Sequence, residues 1–230
     1  MNKSGTSRPT RPPAAKGRPP AGGAKRGISP FWFVSGGIVV LLLAALAIQS
    51  FGSSDDGNPS ADAPAFGTPS VTGAALPAYG TGTDPAVGSK APVLRGTDGD
   101  GDPVSVGAPA SGPTLIVFVA HWCPHCQAEV PRIVKIVDNG DLPDGTRVVA
   151  VATGTDATAP NYPPVAWLER ENWPGELILD DKDQTAARAY GLSGYPYLVV
   201  LDKNGSVVAR ASGEQPTGAI AAMVKTAAAR

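Results

Sequence analysis

From Thr114 to Val137 the chain reads TLIVFVAHWCPHCQAEVPRIVKIV, and this run leaves little choice of local structure. Thr114 to Ala120 is apolar and rich in β-branched residues, which predicts a buried strand. Past His121 and Trp122 the pattern turns helical. Pro124 suits a first helical position, where its missing N–H has no intrahelical partner to lose. Val130, Ile133, Val134 and Val137 recur at helical spacing and predict a face laid on a sheet. The only two cysteines of the protein, Cys123 and Cys126, therefore fall at the tip of a helix that follows a central strand.

That placement is chemically suggestive. The thiolate is the nucleophile in disulfide exchange, and a helix N-terminus carries unpaired N–H groups and about half a positive charge that favour an anion. Cys123 is thus the candidate attacking sulfur, and Cys126, one turn later, the less exposed resolving sulfur. His125 between them would favour the thiolate further, either as imidazolium or by donating an N–H. A stabilised thiolate makes the disulfide form a better oxidant, so Cys-Pro-His-Cys by itself points to an oxidising site.

Other uses of the pair fit less well. A four-residue loop is a poor structural staple. A zinc site needs four ligands, and beyond the cysteines the chain offers only His121 and His125, both crowded against the pair. A copper carrier using the cysteines and a histidine is the main alternative. A peroxidase would need a Thr-x-x-Cys arrangement, whereas His121 and Trp122 precede Cys123.

The remainder of the chain says where this chemistry takes place. Lys3, Arg8, Arg11, Lys16, Arg18, Lys25 and Arg26 stand among prolines and glycines with no acid, so residues 1–30 read as a disordered basic cytoplasmic tail. Residues 31–51 carry no charge and, at about 1.5 Å per residue, are long enough to cross a hydrocarbon core of about 30 Å. Phe31, Trp32 and Phe33 suit an interfacial belt, and the basic tail sets the N-terminus inside. The segment reads as a transmembrane helix. A cleaved secretory signal is the other reading, because Ala45-Leu46-Ala47 resembles a cleavage site. Either way the bulk is exported: the expected location is the cell membrane, single-pass, with an extracytoplasmic C-terminal domain. Residues 52–88, rich in Gly, Pro, Ser, Thr and Asp, predict a flexible linker. Every acid lies beyond residue 51, which argues against an exported nucleic-acid binder.

Residues 89–230 suit one domain. Strands are predicted at 91–94, 104–106, 114–120, 147–152, 176–179, 197–201 and 207–211. Helices are predicted at 124–137, 165–171, 184–190 and 216–229, with a hairpin at Asp202-Lys203-Asn204-Gly205. The alternation argues an α/β fold with a mixed central sheet and helices on both faces.

Taken together, FVAHWCPHC, Glu129 and Pro131 in CQAEVP, WPGELILDD, and AYGLSGYPYLVVLDKNG resemble the thioredoxin-like superfamily, most of all its membrane-anchored, extracytoplasmic TlpA-like thiol:disulfide oxidoreductases. The resemblance covers most of residues 89–230. It implies a thioredoxin-like fold and a redox-active disulfide between Cys123 and Cys126 in place of any cofactor. The expected partners are protein thiols and disulfides and a membrane electron donor or acceptor, with no nucleic acid. It further implies that Trp122 packs beside the site, that Pro131 kinks the helix, and that Pro196 is a cis-proline facing the cysteines. Tyr195 would then offer its backbone to a substrate segment. Glu129 would tune the titration of the pair, an exposed helix carboxylate being the alternative. Val117 stands where thioredoxin carries a buried acid. Pro124 and His125 resemble the periplasmic oxidases, while the surrounding domain resembles the reductases, so the direction of electron flow stays open.

Overall fold

A computed structural model describes residues 63–230. The expected basic tail, the apolar span and residues 52–62 lie outside the described residues. Among the described residues no helix is long and apolar enough to cross a membrane.

Strands β1 (Ser70–Thr72), β2 (Val93–Thr97) and β3 (Pro103–Val106) form a small antiparallel sheet in the order β1-β2-β3. The main sheet has the order β6-β5-β4-β7-β8. It comprises β4 (Thr114–Val119), β5 (Arg147–Ala152), β6 (Glu176–Leu179), β7 (Tyr197–Leu201) and β8 (Val207–Ser212). β4, β5 and β6 run parallel, and β7 and β8 add as antiparallel neighbours. Four helices complete the domain: α1 (Pro124–Asp138), α2 (Pro164–Arg170), α3 (Thr185–Ala189) and α4 (Thr217–Ala228).

The pleat sorts the core. All six residues of β4 are buried, as expected of a central strand covered on both faces. Leu115, Val117 and Val119 point to one face with Leu198 and Val200, and meet Val130 and Ile133 of α1, Ile220 and Val224 of α4, and Trp167 of α2. Ile116 and Phe118 point to the other, with Val149, Val151, Tyr197 and Val199. That second face is covered by α3 and by Leu94, Val104 and Val106 of the small sheet. Only one short helix stands where covering helices were expected.

The flexible-linker reading of 52–88 does not hold from residue 63 onward. Leu76 and Ala86 are buried, β1 pairs with β2, and Leu76 N donates to Ala189 O at 2.9 Å. Asp84 closes a buried ion pair with Arg210 of β8. Arg210 Nε donates to Asp84 Oδ2 at 2.9 Å, and Nη1 reaches Pro77 O, Tyr190 O and Tyr197 Oη at 2.8, 3.2 and 3.0 Å. A composition poor in large apolar residues is held here by side-chain and backbone bonds to distant strands.

Candidate active site

β4 delivers the chain to the site. Its last residues lead into a tight turn in which Cys123 N donates to Ala120 O at 3.0 Å. Cys123 is the N-cap of α1, with extended φ/ψ of −76° and 120°, and Pro124 begins the helix. Pro131 lies inside α1 as expected.

The two cysteines are unequal. Both are free thiols; Cys123 keeps 6% of its surface exposed and Cys126 none. Burial pushes the Cys126 thiol well above its usual range, opposed by the Ala120 N–H, which donates to its Sγ at 3.5 Å. The nearby Cys123 and the charge of Glu129 push it in the same direction as burial. This is the expected order of exposure, though Cys123 is itself more enclosed than an open helix tip would be.

The turn before β7 comes to the same end of the sheet as the cysteine turn. The Tyr195–Pro196 peptide is cis, as the resemblance implied. Phe118 registers against Tyr197, which sets Pro196 beside the end of β4 where the cysteine turn begins. The Trp122 and Tyr195 rings meet edge to face at 5.9 Å, and Trp122 Nε1 donates to Gly154 O at 2.7 Å. Gly154 has a φ of +61°, and a Cβ there would come within 2.6 Å of the Tyr195 hydroxyl, so a bulkier residue would displace that ring. Trp122, next to Cys123 in the chain, remains 37% exposed.

Glu129 is fully buried, so the exposed-carboxylate alternative is excluded. Burial raises its pKa, while the Gln215 N–H, donating to Oε1 at 3.0 Å, and Arg132, donating to Oε2 at 3.2 Å, counter that rise. Val117 is buried and apolar, and the carboxylate whose charge acts on Cys126 comes from α1.

The histidines occupy positions the sequence did not disclose. His121 is buried; its Nδ1 lies 2.7 Å from Pro160 O and its Nε2 accepts from Asp156 N at 3.2 Å. Both ring nitrogens are engaged, which fits a proton on Nδ1 and leaves no lone pair for a metal. His125 Nδ1 is 2.7 Å from Glu214 Oε1, so the imidazole is engaged by the loop after β8. Among the described residues no group of three or more His, Cys, Asp or Glu is placed to hold a metal ion. Glu214 and Gln215 are site residues that sequence reasoning missed. They lie nearly ninety positions from the helix they touch.

The comparisons with known proteins agree with this architecture. The family model described as Redoxin matches residues 86–229. The chain belongs to the Redoxin family. It is 30% identical over 128 residues to the methylamine utilization protein MauD of Methylobacillus flagellatus, covering 55% of this chain and 57% of that protein. It is 26% identical over 95 residues to the thiol:disulfide interchange protein DsbE of Pseudomonas aeruginosa, covering 41% of this chain and 48% of that one. The chain thus spans about half the length of these curated relatives. A thioredoxin-family thiol:disulfide interchange protein from Chlorobium tepidum superposes with a TM-score of 0.50 at 22% identity, over 60% of this chain and 94% of that one, and shares the fold.

Proposed function

We propose that this Redoxin-family chain is a thiol:disulfide oxidoreductase in which Cys123 and Cys126 cycle between dithiol and disulfide against protein substrates. The observation that carries the reading is the asymmetry of the pair: one sulfur at a helix N-cap with a sliver of access, the other sealed beneath it.

In the reducing direction, the Cys123 thiolate attacks one sulfur of a substrate disulfide. That S–S bond breaks, a mixed disulfide forms, and the substrate thiolate leaves and takes up a proton. Cys126 then gives up its proton, and the buried carboxylate of Glu129, whose charge it feels, is the proposed acceptor. The Cys126 sulfur attacks Cys123, expelling the second substrate thiolate. The substrate is reduced by two electrons and the enzyme pair is oxidised. The oxidising direction is the same path in reverse. Trp122, Tyr195 and cis-Pro196 line the approach, and the Tyr195 backbone would receive an extended substrate segment.

The Cys126→Ala variant tests this directly: mixed disulfides with substrates should accumulate on Cys123 and disappear on reduction. Their absence from cells expressing the variant would remove the reading. Equilibration with glutathione gives the direction, near about −120 mV for an oxidant and about −270 mV for a reductant. The apolar run at 31–51 supports a membrane-tethered domain outside the cytoplasm. A C-terminal alkaline phosphatase fusion should be active, and an inactive one would place the domain inside.

A further inference from the structure

The loop joining β8 to α4 is pinned at one end to the turn before β7 and at the other to the active-site helix. Gly213 N donates to Pro196 O at 2.8 Å, and Gln215 N donates to the buried Glu129 at 3.0 Å. Between these anchors Glu214 spans two side chains of α1. Its Oε1 is 2.7 Å from His125 Nδ1, and its Oε2 accepts from Arg132 Nη1 at 2.6 Å. Arg132 in turn reaches Glu129. The titratable and charged groups near His125 in the chain are therefore Cys123, Cys126, Glu129 and Arg132 at and along its own helix, with Glu214 on the loop. Lys135 shares the shallow recess beside Arg132 and Glu214.

Resting on the dithiol reading above, we infer that Glu214 is a positioning residue that captures the His125 imidazole, so that this Cys-Pro-His-Cys site is less oxidising than its motif suggests. A histidine between two cysteines favours the thiolate only if its N–H, or its positive charge, is available to the sulfur. Here the Nδ1 proton is shared with a carboxylate. When the ring is protonated, its charge is offset by an anion in contact with it. The carboxyl is held below its usual range by the His125 contact and then by Arg132, so the capturing group stays ionised. Removing it would release the imidazole toward Cys123 and lower the pH at which that sulfur becomes reactive.

The test is the pH dependence of Cys123 alkylation by iodoacetamide in the reduced full-length protein, for wild type, Glu214→Ala, His125→Ala and the double variant. Glu214→Ala should raise the rate at pH 6 about three- to tenfold, and Glu214→Gln, which keeps an acceptor without the charge, should fall between. In the His125→Ala background the same change should move the rate less than about twofold, a bound set by the requirement that the effect pass through the ring. An unchanged or slower Glu214→Ala rate would overturn the inference. So would a gain of equal size without His125, which would mean that Glu214 acts on the sulfur directly. Failure of the wild-type disulfide to exchange with glutathione would instead strike the redox reading, while the alkylation comparison still decides the role of Glu214.

Discussion

Asp84→Ala should destabilise the folded domain by about 3 kcal/mol, the lower end of the range for breaking a buried ion pair. The size follows from how Arg210 is satisfied. Its side chain is fully buried, and Asp84 retains 12% exposure. Its Nη1 has three other acceptors, whereas Nε and Nη2 face the Asp84 carboxylate. Alanine would strip those two nitrogens of their partner while the guanidinium stays buried beneath the Tyr79 ring, 5.5 Å away. For a domain of this size, each kcal/mol is worth about 2–4 °C, so the melting temperature should fall by roughly 6–12 °C. The Arg210 bond holds the Asp84 carboxyl below its usual 3.8. A depressed acid contributes stability above its unfolded value and loses it as pH falls through the folded one. The gap between wild type and variant should therefore be constant from about pH 5 to 8 and close below about pH 4. Urea denaturation of the reduced full-length protein at several pH values measures both features. A loss under about 1 kcal/mol at neutral pH, or a gap that widens in acid, would refute the reasoning.

Three further outcomes are expected. Tyr197→Phe removes one of three acceptors from Arg210 Nη1 and should cost about 1 kcal/mol, measured by the same denaturation. Glu129→Gln should slow the resolution of a Cys123–glutathione mixed disulfide at least about tenfold at neutral pH, because it removes the buried proton acceptor; an unchanged rate in stopped flow would mean that water takes the proton. Gly154→Ala should cost about 1–2 kcal/mol of stability, because it places a Cβ at a positive φ, and should raise substrate KM by pressing on the Tyr195 hydroxyl with little loss of alkylation rate at Cys123.

Most strands and helices of residues 89–230 were legible because each carries a local pattern, whereas the strand expected at 91–94 runs instead over Val93–Thr97. The predictions at 147–152, 176–179 and 197–201 match β5, β6 and β7 residue for residue. The pair Cys123 and Cys126 was legible for the same reason, since a strand, a turn and an N1 proline announce themselves in sequence. Ala63 to Gly88 was not. Its order comes from distant partners, among them β2, Ala189 and Arg210, the last 126 positions from Asp84, and no window of composition encodes that. One trace was present: Arg210 interrupts the apolar run VVARA in a predicted strand, and a cation there needs a buried partner. Glu214 left no trace, because an acid after a Ser-Gly turn reads as solvent-facing until the loop is seen to fold onto α1.

The two sulfurs are arranged so that reaction at the first prepares the second. Cys126 is held as a thiol mainly by burial, and a charge on Cys123 adds to this. That contribution depends on Cys123 being free. Once Cys123 enters a mixed disulfide it has no charge to repel a second anion, so Cys126 becomes easier to ionise at the moment it must attack. The burial that keeps Cys126 from solvent also keeps a second substrate from reaching it. An oxidoreductase whose resolving sulfur ionised as readily as its nucleophile would lose that order, and in this chain the sealed floor of α1 maintains it.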